Sequence, residues 1–158
     1  FTQFNGDGTI STGLLSMKRP GRARFEYDPP EDTLVLAGGS QLAIFDGKSN
    51  TGPEQYPLKR TPLSIILARN VDLARAKMVV AHTSTDTTTT VRAQDPDNPE
   101  YGSIDLIFSS NPTALRQWVI NDSGGGQTTV VLNDMQTGMD FPSSLFNITI
   151  EAEKRALN

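Results

Sequence analysis

Short runs of alternating apolar and polar residues, separated by turn-forming residues, constrain the fold of this chain more than any other feature. In the run 22–27, three apolar side chains fall on one side of an extended chain and three charged ones on the other, which is typical of a half-buried strand. The runs 33–37 and 41–46 flank a Gly-Gly-Ser segment and predict a β-hairpin. Further strands are predicted at 77–81, 87–93, 103–108, 116–120 and 127–132. This spacing predicts an antiparallel sheet that curls into a barrel or half-barrel.

The composition excludes several classes of function. The 158 residues contain no cysteine and a single histidine, His82, which excludes disulfides, thiolate metal sites and multi-histidine metal sites. The formal net charge of -4 argues against a nucleic-acid-binding protein. The length predicts one domain over residues 1–158. Because the sequence begins at Phe1 inside a strand-like run, we expect a signal peptide and an N-terminal segment to precede it in the full protein.

The motifs that would indicate catalysis are incomplete. The segment 47–49 (Gly-Lys-Ser) lacks the upstream glycine of a phosphate-binding loop. His82 lies in a polar run with Ser84 and Asp86, and no Gly-x-Ser-x-Gly elbow accompanies them. A lipid esterase that uses His82 as its base stays open as an alternative, as does a scaffold that binds protein partners along an exposed sheet edge.

Four cations lie within seven residues, at 18–24. Three of them suit a solvated strand edge, whereas Arg19 shares strand parity with Leu15 and Met17. If those two apolar residues face inward, Arg19 points the same way and must find hydrogen-bond acceptors, because an unpaired buried charge is very costly. Arg19 is therefore a candidate functional residue.

A short helix is predicted after residue 61. The Thr-Pro pair at 61–62 suits the N-cap and the first helical position. Leu63, Ile66 and Leu67 then share one face, and Ile65 lies on another, so the helix is apolar almost all round. Such a helix is either part of the core or a cover over an apolar ligand.

Several of these segments together resemble a known family. They are residues 1–3 (Phe-Thr-Gln), 17–25 (Met-Lys-Arg-Pro-Gly-Arg-Ala-Arg-Phe), the hairpin 34–45, 61–70 (Thr-Pro-Leu-Ser-Ile-Ile-Leu-Ala-Arg-Asn) and 144–146 (Ser-Leu-Phe). In this order and spacing they resemble the outer-membrane lipoprotein carrier protein family, LolA. The resemblance is strong over residues 1–70, looser through the middle, and returns at 136–148.

The resemblance implies a fold and a function. The fold is an incomplete antiparallel β-barrel with a short helical lid over a hydrophobic cavity. The function is that of a periplasmic chaperone that takes acylated lipoproteins from an inner-membrane lipoprotein-releasing ABC transporter. It passes them to an outer-membrane acceptor lipoprotein where one exists. The resemblance further implies a monomer with no catalytic activity and no cofactor. A related acceptor, or another periplasmic lipid-binding half-barrel, is the alternative.

The resemblance also assigns roles to residues of the lid. Arg19 matches the family's motif arginine, which hydrogen-bonds the lid backbone and helps to hold the lid closed. The family's first helix, also part of the lid, would lie before Phe1. The predicted lid helix matches the residues Leu63, Ile65, Ile66 and Leu67.

The cavity lining follows from strand parity together with the resemblance. Ala23 and Ala43 stand where larger apolar residues are common in the family, which changes the expected shape of the cavity. A slip of one residue in the register would exchange the two faces of a strand. With that parity, the residues expected to line the acyl cavity are Leu15, Met17, Phe25, Tyr27, Leu34, Leu36, Leu42 and Ile44.

Overall fold

The structure is a computed structural model that describes residues 1–47, 52–61, 63–67, 79–94, 97, 99–110, 114–122 and 124–156. Within these residues the chain forms β-strands, two α-helices and three 3-10 turns. The strands are β1 (Thr2–Phe4), β2 (Ile10–Lys18), β3 (Arg22–Tyr27), β4 (Thr33–Gly38), β5 (Gln41–Asp46), β6 (Glu54–Pro57), β7 (Val79–Ser84), β8 (Thr88–Gln94), β9 (Ser103–Ser109), β10 (Ala114–Asn121) and β11 (Gln127–Val131). The helices are α1 (Leu63–Ile66) and α2 (Ile148–Ala156), and the 3-10 turns are Leu58–Arg60, Pro99–Tyr101 and Ser143–Phe146.

The chain folds as two compact units, each of which is built from separate stretches of sequence. Unit 1 contains Phe1–Thr12 and Asp72–Met135, and unit 2 contains Gly13–Val71 and Gln136–Asn158. Strand β2 begins in unit 1 and continues in unit 2. The expectation of a single domain over the whole chain stays a prediction.

The strand pairings are antiparallel in both units. In unit 1 the hydrogen-bonded neighbours run β2-β1-β11-β10-β9-β8-β7, and in unit 2 they run β2-β3-β4-β5-β6. Within the described residues, β6 and β7 are the two ends of the strand order, so the sheet is open. The expected fold class, a mainly β protein with an incomplete antiparallel barrel, is confirmed in the form of this open sheet.

Most of the expected strands are present, with ends that differ by a few residues. The strand expected at 77–81 is described from Val79 onward, and its first two residues lie outside the described residues. The segment 144–146, which carries part of the resemblance, lies in the 3-10 turn Ser143–Phe146. Strand β6 and helix α2 were not expected. No helix of the described residues has both the length and the apolar character that a bilayer crossing requires.

Unit 1 buries one face of its strands. Val91, Leu106, Trp118 and Val130 lie opposite one another on four neighbouring strands. Each of these side chains is at most 4% exposed. Residues in direct cross-strand register share a face, so this row forms the apolar core of unit 1.

The five strands of unit 2 have two distinct faces, which follow from the cross-strand register and the alternation of side chains. The first, called the Phe25 face, carries Leu15, Met17, Ala23, Phe25, Tyr27, Val35, Ala37, Leu42 and Ile44. The second, called the Leu36 face, carries Leu14, Ser16, Arg24, Leu34, Leu36, Ala43 and Phe45.

The Leu36 face is covered by residues 140–156, called the C-terminal segment. Phe146 of this segment is 3% exposed and belongs to one core cluster with four residues of the sheet, Leu34, Leu36, Ala43 and Phe45. Phe141 meets Phe146 edge to face, with ring centroids 6.1 Å apart and an interplanar angle of 88°. Gly38 permits this close packing, because a Cβ there would overlap the carbonyl of Phe146.

Candidate functional site

Helix α1 lies where the sequence predicts the lid. The amide of Leu67 donates to the carbonyl of Leu63 at 3.0 Å, which closes the single helical turn. Ile66 and Leu67 are each 2% exposed, and Leu63 is half-buried. The side chain of Ile65, the fourth expected lid residue, lies outside the described residues.

The start of α1 differs from the expectation. Thr61 precedes the helix, and its hydroxyl donates to the carbonyl of Leu58 at 2.8 Å. The Thr61 side chain therefore serves the end of the preceding 3-10 turn, where the Thr61 amide also donates to Leu58 at 2.9 Å. Pro62, expected at the first helical position, lies outside the described residues.

The turn between β2 and β3 binds the end of α1 through two donors. Arg19 donates from Nε to the carbonyl of Ile66 at 2.8 Å. The main-chain amide of Gly21 donates to the carbonyl of Leu67 at 2.7 Å. The last carbonyls of a helix have no partner within the helix, so these two bonds satisfy groups that would otherwise need water.

Arg19 has a hydrogen-bond acceptor in the Ile66 carbonyl, but the residue is exposed, whereas strand parity predicted an inward position. Sequence reasoning missed Gly21. Its φ of 70° lies in the left-handed region that glycine adopts without strain. A Pro-Gly pair is a known turn signal, and it indicated the turn but not the direction of the Gly21 amide.

The register separates the eight residues expected to line one cavity. Six of them lie on the Phe25 face: Leu15, Met17, Phe25, Tyr27, Leu42 and Ile44. Leu34 and Leu36 lie on the opposite face, in the core cluster with Phe146, so their assignment to the same lining was wrong. Residues 34–37 are all apolar, so alternation could not decide which of them share a face with Phe25.

Val35 and Ala37 take the places on the Phe25 face that were expected for the two leucines. Val35 lies opposite Phe25 in β3 and Ile44 in β5, and Ala37 lies opposite Leu42. The centre of this face is buried, with Phe25 at 6% and Leu42 at 8% exposure, whereas Val35 and Ile44 are half-buried. Unit 2 therefore has a continuous apolar surface that is separate from its Leu36 face.

The two alanines that depart from the family pattern lie on different faces. Ala23 is 1% exposed on the Phe25 face, opposite Met17 and Ala37. Ala43 is fully buried on the Leu36 face, in the cluster that contains Phe146. Only Ala23 therefore bears on the shape of the Phe25 face.

The residues of the alternative esterase lie on an exposed strand. His82 and Ser84 are both exposed in β7, and Ser84 Oγ lies 3.4 Å from His82 Nε2. This distance exceeds the roughly 2.6–3.2 Å of a nucleophile and its base. In the part of the chain that the structure describes, no three His, Asp or Glu side chains are grouped so as to hold a metal ion. These features give the esterase alternative no support.

Comparison with known proteins identifies the family. A family model described as outer membrane lipoprotein carrier protein LolA matches residues 1–149. Since the match covers most of the chain, the chain belongs to the LolA family. This agrees with the resemblance carried by the motif at 17–25 and by the helix that follows residue 61.

Individual relatives are similar at low identity over most of the chain. The outer-membrane lipoprotein carrier protein of Francisella philomiragia subsp. philomiragia is 26% identical over 152 residues, which cover 91% of this chain and 70% of that protein. The protein of the same name from Pseudoalteromonas translucida is 24% identical over 143 residues, which cover 87% of this chain and 66% of that protein. The chain thus spans 66% to 70% of the length of these relatives.

Proposed function

We propose that this chain is a periplasmic carrier that binds the acyl chains of lipoproteins against the Phe25 face, beneath α1 as a lid. The observation that carries the proposal is the pair of hydrogen bonds from Arg19 and Gly21 to the carbonyls of Ile66 and Leu67. These bonds attach a short apolar helix to the turn that ends the strands of an apolar sheet face. A helix that is attached by few hydrogen bonds can be displaced when an apolar ligand enters the site beneath it.

The energetics of acyl chains explain why a carrier needs such a cover. Each buried CH₂ contributes about 0.8 kcal/mol, so full burial of three long chains would release on the order of tens of kcal/mol. The free energy of non-covalent binding rarely exceeds about 20 kcal/mol. A carrier must also release its cargo. We infer that the cost of displacing α1 and the open edge of the sheet keep acyl binding below this limit.

The proposed partners follow from family membership and from the names of the relatives, which are lipoprotein carriers. The cargo is an acylated lipoprotein, received from an inner-membrane lipoprotein-releasing ABC transporter and delivered to an outer-membrane acceptor where one exists. The protein acts as a monomer that binds and transfers without catalysis or a cofactor. A lipoprotein acceptor with the same fold is the second reading, and transfer direction distinguishes the two.

Native mass spectrometry tests the proposal. The full mature protein is mixed with a triacylated lipopeptide or with the same peptide without acyl chains. We expect one acylated peptide per protein and no complex with the unacylated form. Equal binding of both forms, or of neither, would contradict a site built for acyl chains.

A pair of neighbouring leucines provides a matched test of the binding face. Leu15 lies on the Phe25 face and is half-buried, whereas Leu14 lies on the Leu36 face and is 60% exposed. We expect Leu15→Asp to weaken lipopeptide binding at least about tenfold, because a carboxylate beside acyl chains costs more than one kcal/mol. Leu14→Asp should leave binding unchanged. If both variants bind like the wild type, the acyl chains lie elsewhere.

A further inference from the structure

The turn that holds α1 is itself tied to a second segment, which covers the Leu36 face. Lys18, the last residue of β2, donates from Nζ to the carbonyl of Phe141 at 3.0 Å. Arg24 of β3 donates from Nη1 to the carbonyl of Leu145 at 3.0 Å. Both acceptors belong to the C-terminal segment. The basic run that contains Arg19 therefore contacts both α1 and the C-terminal segment.

Arg24 forms an ion pair of low exposure with α2. Its side chain is 14% exposed and its Nη1 lies 3.5 Å from Oε2 of Glu151, which is 12% exposed. Arg24 Nε also lies 2.9 Å from Oε1 of Glu26, whose side chain is 44% exposed. Removal of one partner of an ion pair of low exposure strongly destabilises the folded protein, because the other charge is then left unpaired. The position of Arg24 is thus fixed by the C-terminal segment.

Glu151 connects Arg24 to the rest of α2. Arg155, one helical turn further on, places Nε 3.2 Å from Oε1 of Glu151. The Arg155 guanidinium also lies 5.0 Å from the centroid of the Phe45 ring, a cation–π contact with the sheet. The glutamate is therefore held between two arginines, one in the sheet and one in the helix.

The β2–β3 ladder connects Arg24 to the turn that binds the end of α1. Arg24 and Ser16 are direct partners in the β2–β3 ladder, and the next pair on the same face, Arg22 and Lys18, borders the turn. The turn then presents Arg19 Nε and the Gly21 amide at 2.8 and 2.7 Å from their carbonyls. Hydrogen bonds weaken steeply when donor and acceptor leave their preferred distance and angle. A small displacement of β3 would therefore loosen both bonds together.

We propose that Arg24 and Glu151 are positioning residues for the lid: by fixing β3 to the C-terminal segment, they set how firmly the β2–β3 turn holds α1. The proposal rests on the proposed function only in calling α1 a lid. The coupling itself is a property of the protein without cargo. Neither residue lies on the Phe25 face, so neither contacts acyl chains in the proposed complex.

Amide hydrogen exchange, measured by NMR on the full chain without lipid, tests the coupling. The Gly21 amide is a direct probe, since its protection depends on the bond to Leu67, and the Leu67 amide reports on α1 itself. We expect Glu151→Gln to speed exchange at both amides about tenfold. Amides of the β4–β5 ladder should change by less than about threefold. Arg24→Lys, which keeps the charge and one donor, should lie between Glu151→Gln and the wild type.

A matched control removes an ion pair of unit 1, which contains neither α1 nor the C-terminal segment. Arg92 and Asp105 of unit 1 form two hydrogen bonds, at 2.7 and 3.0 Å, on neighbouring strands. Arg92→Gln should leave exchange at Gly21 and Leu67 unchanged. The proposal is overturned if Glu151→Gln speeds the β4–β5 amides as much as Gly21, which would be a general loss of stability, or if it changes neither probe.

The same variants separate this proposal from the proposed function. If Glu151→Gln loosens Gly21 and Leu67 but the wild type binds no lipopeptide, the coupling stands and the carrier proposal fails. If lipopeptide binds to the wild type and Glu151→Gln leaves both amides unchanged, the carrier proposal stands and the coupling fails.

Discussion

The cover of the Leu36 face and helix α1 are held in unit 2 in different ways. On the Leu36 face, Phe146 is part of the core, and Lys18 and Arg24 bind carbonyls of the segment that carries it. Helix α1, which we propose covers the Phe25 face, is bound by two hydrogen bonds at one end of its single helical turn, from Arg19 and from the Gly21 amide. The difference teaches that the C-terminal segment is a permanent part of the core of unit 2. We propose that α1, in contrast, is displaced when cargo binds.

The largest effect on this comparison is expected from Phe146→Ala. Removal of a buried phenylalanine costs about 3–5 kcal/mol, because the cavity that it leaves closes only in part. The free energy of unfolding from denaturant titration measures this loss. Phe4→Ala, at a phenylalanine that is 44% exposed, should cost less than about 1 kcal/mol. Equal losses for the two variants would show that the Leu36 face does not depend on its cover.

Gly38→Ala is expected to have the next largest effect. The added Cβ would overlap the Phe146 carbonyl, so the C-terminal segment must shift at a cost of about 2 kcal/mol. Gly52→Ala is the control, since a Cβ at Gly52 meets nothing within 4 Å. Both variants are compared by thermal unfolding. A Gly38→Ala protein as stable as the control would mean that the segment is not seated closely on the sheet.

Arg19→Leu tests the other cover and should have a smaller effect. The variant loses one hydrogen bond from a charged donor that is solvent-exposed, worth about 1 kcal/mol, or roughly fivefold in the opening of α1. Faster exchange of the Leu67 amide measures the opening, while the unfolding free energy should change by less than about 0.5 kcal/mol. Arg22→Leu is the control: it removes the 3.4 Å hydrogen bond from Arg22 Nη2 to the Arg19 carbonyl but no bond to α1, and it should change this exchange by less than about twofold. A loss of overall stability like that of Phe146→Ala would make α1 part of the core.

The smallest effect is expected from the ion pair of unit 1, which serves as a reference for both faces. The hydrogen bonds from Arg92 lower the pKa of Asp105 below its ordinary value. A lowered folded-state pKa stabilises the protein above the unfolded value of about 4, and this stability is lost as the pH falls through the folded value. Arg92→Gln should therefore flatten the acid side of the stability profile by about 0.3 kcal/mol. An unchanged profile would contradict this.

The sequence predicted the strands of the sheet well, because alternation and turn residues are local signals. It failed where these signals are ambiguous. Residues 34–37 are all apolar, so the assignment of Leu34 and Leu36 to a face required the register with β3 and β5. Strand β6 was missed because its four residues, Glu-Gln-Tyr-Pro, are mostly polar and end in proline, which suggests a loop.

Helix α2 was missed for a different reason. Its first residues alternate as those of a strand do, and the conflict between the two periods hid the helix. One signal was available: Asn147 is a favoured N-cap residue, and its Oδ1 accepts from the Ile150 amide at 3.0 Å. For Arg19, strand parity predicted only a direction. The lid backbone as its hydrogen-bond acceptor was predicted from the resemblance to the family.

One of the two hydrogen bonds that bind α1 comes from the main-chain amide of Gly21, so a change of side chain does not remove its donor. Every amino acid except proline keeps this donor, and proline, with its φ fixed near about −65°, does not fit a backbone at φ 70°. Alanine at position 21 would keep the donor but would be strained at this φ, so its effect would report the conformation of the turn and not the loss of the bond to Leu67. The main-chain bond to α1 therefore depends on the turn keeping its conformation, whereas the bond from Arg19 depends on one side chain.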